Sequence, residues 1–154
     1  MEEQLLKIFE GNSELFITTS LTGEVDERGK TVGQTLTVHE PITLKIWKDH
    51  LDGKKRIGVK PEKDNLCKWG CIDVDPHNYK DYNQKKIVDI IKEFQLPLIP
   101  ARSKSGGLHL FLFLDDWYPV KDVLKKLHQW NNDFFQAQEI FPMNKCLNMP
   151  YFNM

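Results

Sequence analysis

The chain has 154 residues, of which 40% are apolar, with 21 basic and 22 acidic side chains and a formal net charge of −1. That apolar fraction is enough for a packed core, so disorder is not the default reading, while the length suits one domain and is short for two. The charge balance excludes a protein that grips nucleic acid by bulk charge, so any such contact must come from a local patch or a partner.

In chain order, residues 2–9 read as a short helix and Leu15-Phe16-Ile17-Thr18-Thr19 as a strand. The acidic start, Met1-Glu2-Glu3-Gln4, does not resemble a secretory signal, and no apolar run approaches the roughly 20 residues of a membrane span. Gly23 to Gly33, rich in charge and glycine, reads as a hairpin tip or mobile loop. Glu40-Pro41 is expected to open a helix, with Leu44, Trp47 and Leu51 on one face and Gly53 ending it. Arg56 to Lys60 reads as a short strand.

The second half is more regular. Trp69 to Asp75 reads as a strand, and Asn83 caps a helix with Ile87, Ile90, Ile91 and Phe94 at core spacing. Strands follow at Leu96–Ala101 and, after Gly106-Gly107, at Leu108–Leu114. Pro119 opens a second helix with Val120, Val123, Leu124 and Leu127 inward, and a last strand covers Gln138–Phe141 before Pro142. The expected fold class is therefore α+β, a ferredoxin-like or RRM-like β-α-β-β-α-β core over about residues 67–142. An N-terminal α/β module, residues 1–66, is expected to pack on the 67–154 core, making 1–154 one domain. Right-handed crossovers put the first core strand between the third and fourth, antiparallel to both.

Cys67, Cys71 and Cys146 cannot all pair, which with the signal-free start leads to the expectation of reduced thiols in a cytoplasmic chain. Cys67 and Cys71 with His77 make an incomplete zinc set, so these cysteines are read as packing residues.

Three segments carry chemistry. Asp73 and Asp75 alternate with Ile72 and Val74, so both carboxylates leave one face of the strand, with Cα atoms roughly 6.5–7 Å apart. Such a pair can converge on a divalent ion, although Asp75-Pro76 also reads as a plain turn. Arg102-Ser103-Lys104-Ser105-Gly106-Gly107 offers hydroxyls, cations and a close-approaching backbone for phosphate, and leads to His109; it equally describes a polar hairpin loop. Glu139 heads the last short strand. On the inferred topology Asp75, His109 and Glu139 meet near one edge of adjacent strands, whereas Asp115-Asp116 and Asp133 lie elsewhere.

Together, Ile72-Asp73-Val74-Asp75, Ser103-Lys104-Ser105-Gly106-Gly107-Leu108-His109 and Glu139-Ile140-Phe141-Pro142 resemble the motifs of the archaeo-eukaryotic primase superfamily, in its phage and conflict-system branch. His50-Leu51-Asp52-Gly53 with Ile57-Gly58-Val59-Lys60-Pro61, and Leu147-Asn148-Met149-Pro150-Tyr151-Phe152-Asn153, are similar to stretches flanking that branch's motifs. The resemblance implies a DNA primase or DNA-directed polymerase, a nucleotidyltransferase of DNA replication. Asp73, Asp75 and Glu139 would be catalytic and hold two Mg²⁺ or Mn²⁺ ions. Arg102, Ser103, Lys104, Ser105, Gly106, Gly107 and His109 would bind the phosphates of an NTP or dNTP. Partners would be a single-stranded DNA template and primer, with a helicase or C-terminal accessory domain, in a bacterial or phage-infected cytoplasm.

Members usually continue past the point matching Met154, so a fragment of a longer protein is expected, with template grip supplied by other segments. Two other readings remain open: a non-catalytic binding module stacking bases on Phe111 and Phe113, and a nucleotide-sugar glycosyltransferase using Asp73-x-Asp75.

Overall fold

A computed structural model describes residues 1–27, 29 and 31–154. The elements in order are α1 (Glu2–Ile8), β1 (Phe16–Val25), β2 (Thr31–Val38), α2 (Leu44–Leu51), β3 (Arg56–Val59) and β4 (Leu66–Val74). Next come α3 (Gln84–Glu93), β5 (Ile99–Arg102), β6 (Leu108–Pro119), α4 (Val120–Trp130), β7 (Glu139–Phe141) and β8 (Leu147–Asn148). The fold class is α+β, with two four-stranded sheets. The chain divides into two compact units, Met1–Lys60 with Cys146–Met154, and Pro61–Lys145.

The first unit carries the sheet β2-β1-β3-β8. The segment read as a hairpin tip or loop is the tip of the antiparallel β1–β2 hairpin, with β1 running to Val25 and β2 starting at Thr31; Arg28 and Lys30 within it lie outside the described residues. The expected helix start at Pro41 moves to Leu44, because Thr43 is the N-cap and its Oγ1 accepts the Ile46 N–H at 3.4 Å. The inward face also shifts: Leu44 is 43% exposed, and Trp47, His50 and Leu51 are buried. Residues 147–154 leave the core to which the sequence reading assigned them, since Asn148 and Leu147 pair with Gly58 and Val59 of β3.

His50 joins these pieces. Its Nδ1 accepts the Ile57 N–H at 3.2 Å, which leaves the proton on Nε2 to be donated to the Pro150 carbonyl 2.8 Å away. The Asn153 N–H returns to the His50 carbonyl, and Arg56 stacks over Phe152 at 4.4 Å. Residues 50–59 and 147–153, set apart in the sequence, are thus sewn together around one buried ring.

The second unit is the expected β-α-β-β-α-β core, its sheet ordered β5-β6-β4-β7 with every neighbouring pair antiparallel. Ile72 and Val74 of β4 with Leu108, Leu110 and Leu112 of β6 form one apolar face. Ile87 and Ile91 of α3 and Val123 and Leu127 of α4 cover that face, as their 3.6-residue spacing requires. Phe94, read as part of that face, is 52% exposed. β6 runs past Leu114 to Pro119, with four of its residues bulging opposite Lys68 between the pairs Trp69–Phe113 and Cys67–Tyr118. No helix among the described residues is long and apolar enough to cross a membrane.

Candidate active site

The central strand of the second sheet sets the geometry. Asp73 of β4 stands directly opposite His109 of β6 on one side and Glu139 of β7 on the other. Residues paired across antiparallel strands share a face, so the three form one row across the sheet. The adjacent row, Cys71 with Phe111 and Phe141, is buried.

Burial governs the electrostatics of the row. The Asp73 carboxyl is pushed up to about 6, first by desolvation and then by the charges of Glu139 and Asp75, with Lys145 offsetting part of the rise. Desolvation holds the His109 ring down to about 4, so it is neutral near pH 7. Its Nε2 lies 3.6 Å from Asp73 Oδ1, too long for a hydrogen bond and, with a neutral ring, not an ion pair. His109 is 6% exposed and its Nδ1 is a buried ring nitrogen with no hydrogen-bond partner. A buried polar atom without a partner costs the fold stability.

Asp75 sits one residue beyond β4. It caps the 3-10 turn Pro76–Asn78, its Oδ1 accepting the His77 N–H at 3.0 Å. Glu139 forms an ion pair with Lys145, which sequence reasoning missed. Lys145 has no periodic relation to a strand or helix; the chain returns after Pro142 through a Met143–Lys145 bridge and brings the ammonium over β7.

The loop between β5 and β6 is locked against the end of β4. The Ser103 N–H donates to the Gly107 carbonyl at 2.9 Å, and the Gly107 N–H returns to Ser103 Oγ at 3.0 Å. Ser103 Oγ also lies 3.3 Å from Ser105 Oγ. Gly107 is required, because a Cβ there would lie 2.2 Å from the Val74 carbonyl. Gly106 takes φ +84°, and its carbonyl accepts from Gln84 Nε2 at 3.0 Å, a support the sequence did not signal. The Gly107 N–H is therefore spent on the loop, while Arg102 and Lys104 are exposed on its rim.

The structure thus brings Asp73, Glu139 and His109 into one row, with Asp75 and the Ser103–Gly107 loop at its end. It does not converge three ligands: among the described residues no group of three His, Cys, Asp or Glu side chains is arranged to hold a metal ion. Asp75 is turned to the His77 backbone and Glu139 to Lys145. Cys67 and Cys71 are buried with thiol pKa values raised by desolvation, as packing residues would be. Residues 23–141 match the family model described as the archaeo-eukaryotic primase domain of TOTE conflict systems. No curated protein matches the chain.

Proposed function

Because the chain belongs to the archaeo-eukaryotic primase domain family of TOTE conflict systems, we propose that its second unit transfers a nucleotide from an NTP or dNTP to a primer 3′-hydroxyl on a single-stranded DNA template. The observation that carries this reading is the row His109–Asp73–Glu139, in register on three adjacent strands.

The family implies divalent metal, and the donor set fits it in kind. Asp73, Asp75 and Glu139 are oxygen donors of the sort hard cations take. Their charges already act on one another, since Glu139 and Asp75 both raise the Asp73 carboxyl, and a cation would relieve that repulsion. These three residues would hold Mg²⁺ or Mn²⁺, with Asp75 and Glu139 turning from their present partners. A bound ion pair would supply Lewis-acid stabilisation of the attacking and leaving oxygens.

The chain's own residues do the rest. His109 keeps a neutral ring at one end of the row, a hydrogen-bonding group for the nucleotide. Arg102 and Lys104 on the loop rim supply positive charge for the phosphates, and Ser105 a hydroxyl. Ser103 holds the loop in shape through Gly107 rather than contacting phosphate by that bond.

Calorimetry with Mn²⁺ and a nucleoside triphosphate, together with primer extension, tests the proposal. Asp73→Ala with Asp75→Ala is expected to lose metal-dependent nucleotide binding, and Asp73→Ala alone to lose incorporation. Equal binding by wild type and the double variant would sink the site.

The Glu139–Lys145 pair favours a second reading, a nucleotide-binding relative without catalysis. Metal-dependent binding with no extension would select it. RRM-type base stacking on Phe111 is unsuited to either reading, since that ring is 1% exposed.

A further inference from the structure

We infer that Lys145 is a positioning residue that competes with a divalent cation for Glu139, an inference that rests on the metal-binding reading above. Glu139 and Phe141 lie two apart on β7 and so share a face. The Lys145 ammonium is paired with Glu139 and stands 5.7 Å from the Phe141 ring centre, which puts it above that face. The same face carries Asp73, directly opposite Glu139. The ammonium therefore supplies, among the carboxylates, the positive charge that a cation would supply.

Both partners sit at the solvent edge of the row, Lys145 with 49% and Glu139 with 39% of the side chain exposed. An ion pair at that exposure opens readily, because water compensates each charge. The backbone of Lys145 is tied by its bridge to Met143, so the ammonium swings on its own stem. A cation taking Glu139 displaces the ammonium, and the affinity measured for the cation is lowered by the pair it has to break. The same pair quiets the repulsion between Glu139 and Asp73, so Lys145 acts on the bare fold and on cation binding with opposite signs. A merely structural lysine would move both the same way.

The test is Mn²⁺ calorimetry without nucleotide on the full chain, alongside urea unfolding in EDTA. Lys145→Met is expected to bind Mn²⁺ roughly two- to fivefold tighter, the range to which an exposed ion pair converts, while unfolding at lower urea in EDTA. Lys145→Arg should restore wild-type affinity, and Lys145→Met added to Glu139→Gln should bring little further gain. Lys145→Gln replaces the methionine variant if that does not fold. Unchanged or weaker Mn²⁺ binding by the uncharged variants overturns the inference. Asp73→Asn separates the two failures: if it loses Mn²⁺ while Lys145→Met gains nothing, only the role of Lys145 falls. If Asp73→Asn binds Mn²⁺ like wild type, the metal reading falls and this inference with it.

Discussion

Each compact unit buries one histidine, and the two rings are treated differently. His50, in the first unit, is fully buried with both nitrogens engaged, one accepting from Ile57 and one donating to Pro150. His109, in the second, is nearly as buried but keeps Nδ1 unpaired and Nε2 beyond hydrogen-bond reach of Asp73. Burial alone thus does not tell the two rings apart; the accounting of their nitrogens does. A fold that satisfies a ring completely is using it as a brace, whereas an unpaired buried nitrogen is a cost to the fold that a bound ligand, ion or water can offset.

The strongest way to break the comparison is His50→Ala. It removes a packed ring and leaves the Ile57 N–H and Pro150 carbonyl unpaired, a loss of about 3–5 kcal/mol from cavity and unmet hydrogen bonds combined. Urea unfolding followed by circular dichroism measures it. A loss below about 0.5 kcal/mol, the level of an ordinary surface change, would mean that His50 braces nothing.

The two histidines were not equally legible in the sequence. His109 stood out because the β-α-β-β-α-β order forces β4 between β6 and β7, and that topology alone brings Asp73, His109 and Glu139 together. The role of His50 was hidden, since its acceptor Pro150 lies 100 residues away and β8, which precedes it, is only two residues long. β2 escaped for another reason: its Thr-Val-Gly-Gln-Thr-Leu-Thr-Val run lies on a sheet edge, with Leu36 54% exposed, so no buried face imposes an alternating pattern. Pro41 misled because a proline suits a first helical turn anywhere, and the Thr43 side chain decided where that turn began. Lys145 reaches the site through a turn, which no periodicity announces.

Acid offers a gentler way to sharpen the contrast. Burial lowers the His50 pKa, with the neighbouring Arg56 charge adding to it, and holds His109 down to about 4 from an ordinary 6.5. Below pH 6.5 the unfolded chain therefore binds protons that both folded rings refuse, and each ring contributes a loss of stability as pH falls. Asp73 acts in the opposite sense, because its folded carboxyl titrates at about 6 and its unfolded one at 3.8, so between those values the fold holds the extra proton. In the second unit the two groups nearly cancel, which leaves His50 to dominate. Urea unfolding in EDTA is expected to show stability falling on acidification below pH 6.5 until the His50 ring itself protonates. Asp73→Asn should steepen that loss by removing the compensating group. A flat profile would mean that His50 is not held neutral.

The smallest effect on stability is expected from His109→Phe, and it discriminates most sharply. Phenylalanine keeps an aromatic ring in edge contact with Phe111, now 5.7 Å centre to centre, and deletes the unpaired Nδ1. Removing a buried polar atom that has no partner should leave urea stability unchanged or raise it by up to about 1 kcal/mol, against the large loss at His50. Calorimetry with Mn²⁺ and a nucleoside triphosphate should show the nucleotide weakened at least tenfold, the scale of one lost hydrogen bond to a charged group, with Mn²⁺ alone still bound. Should His109→Phe instead unfold the protein as His50→Ala does, His109 would be a second brace, and the row on β6, β4 and β7 would lose the residue that distinguishes it from a plain pair of acids.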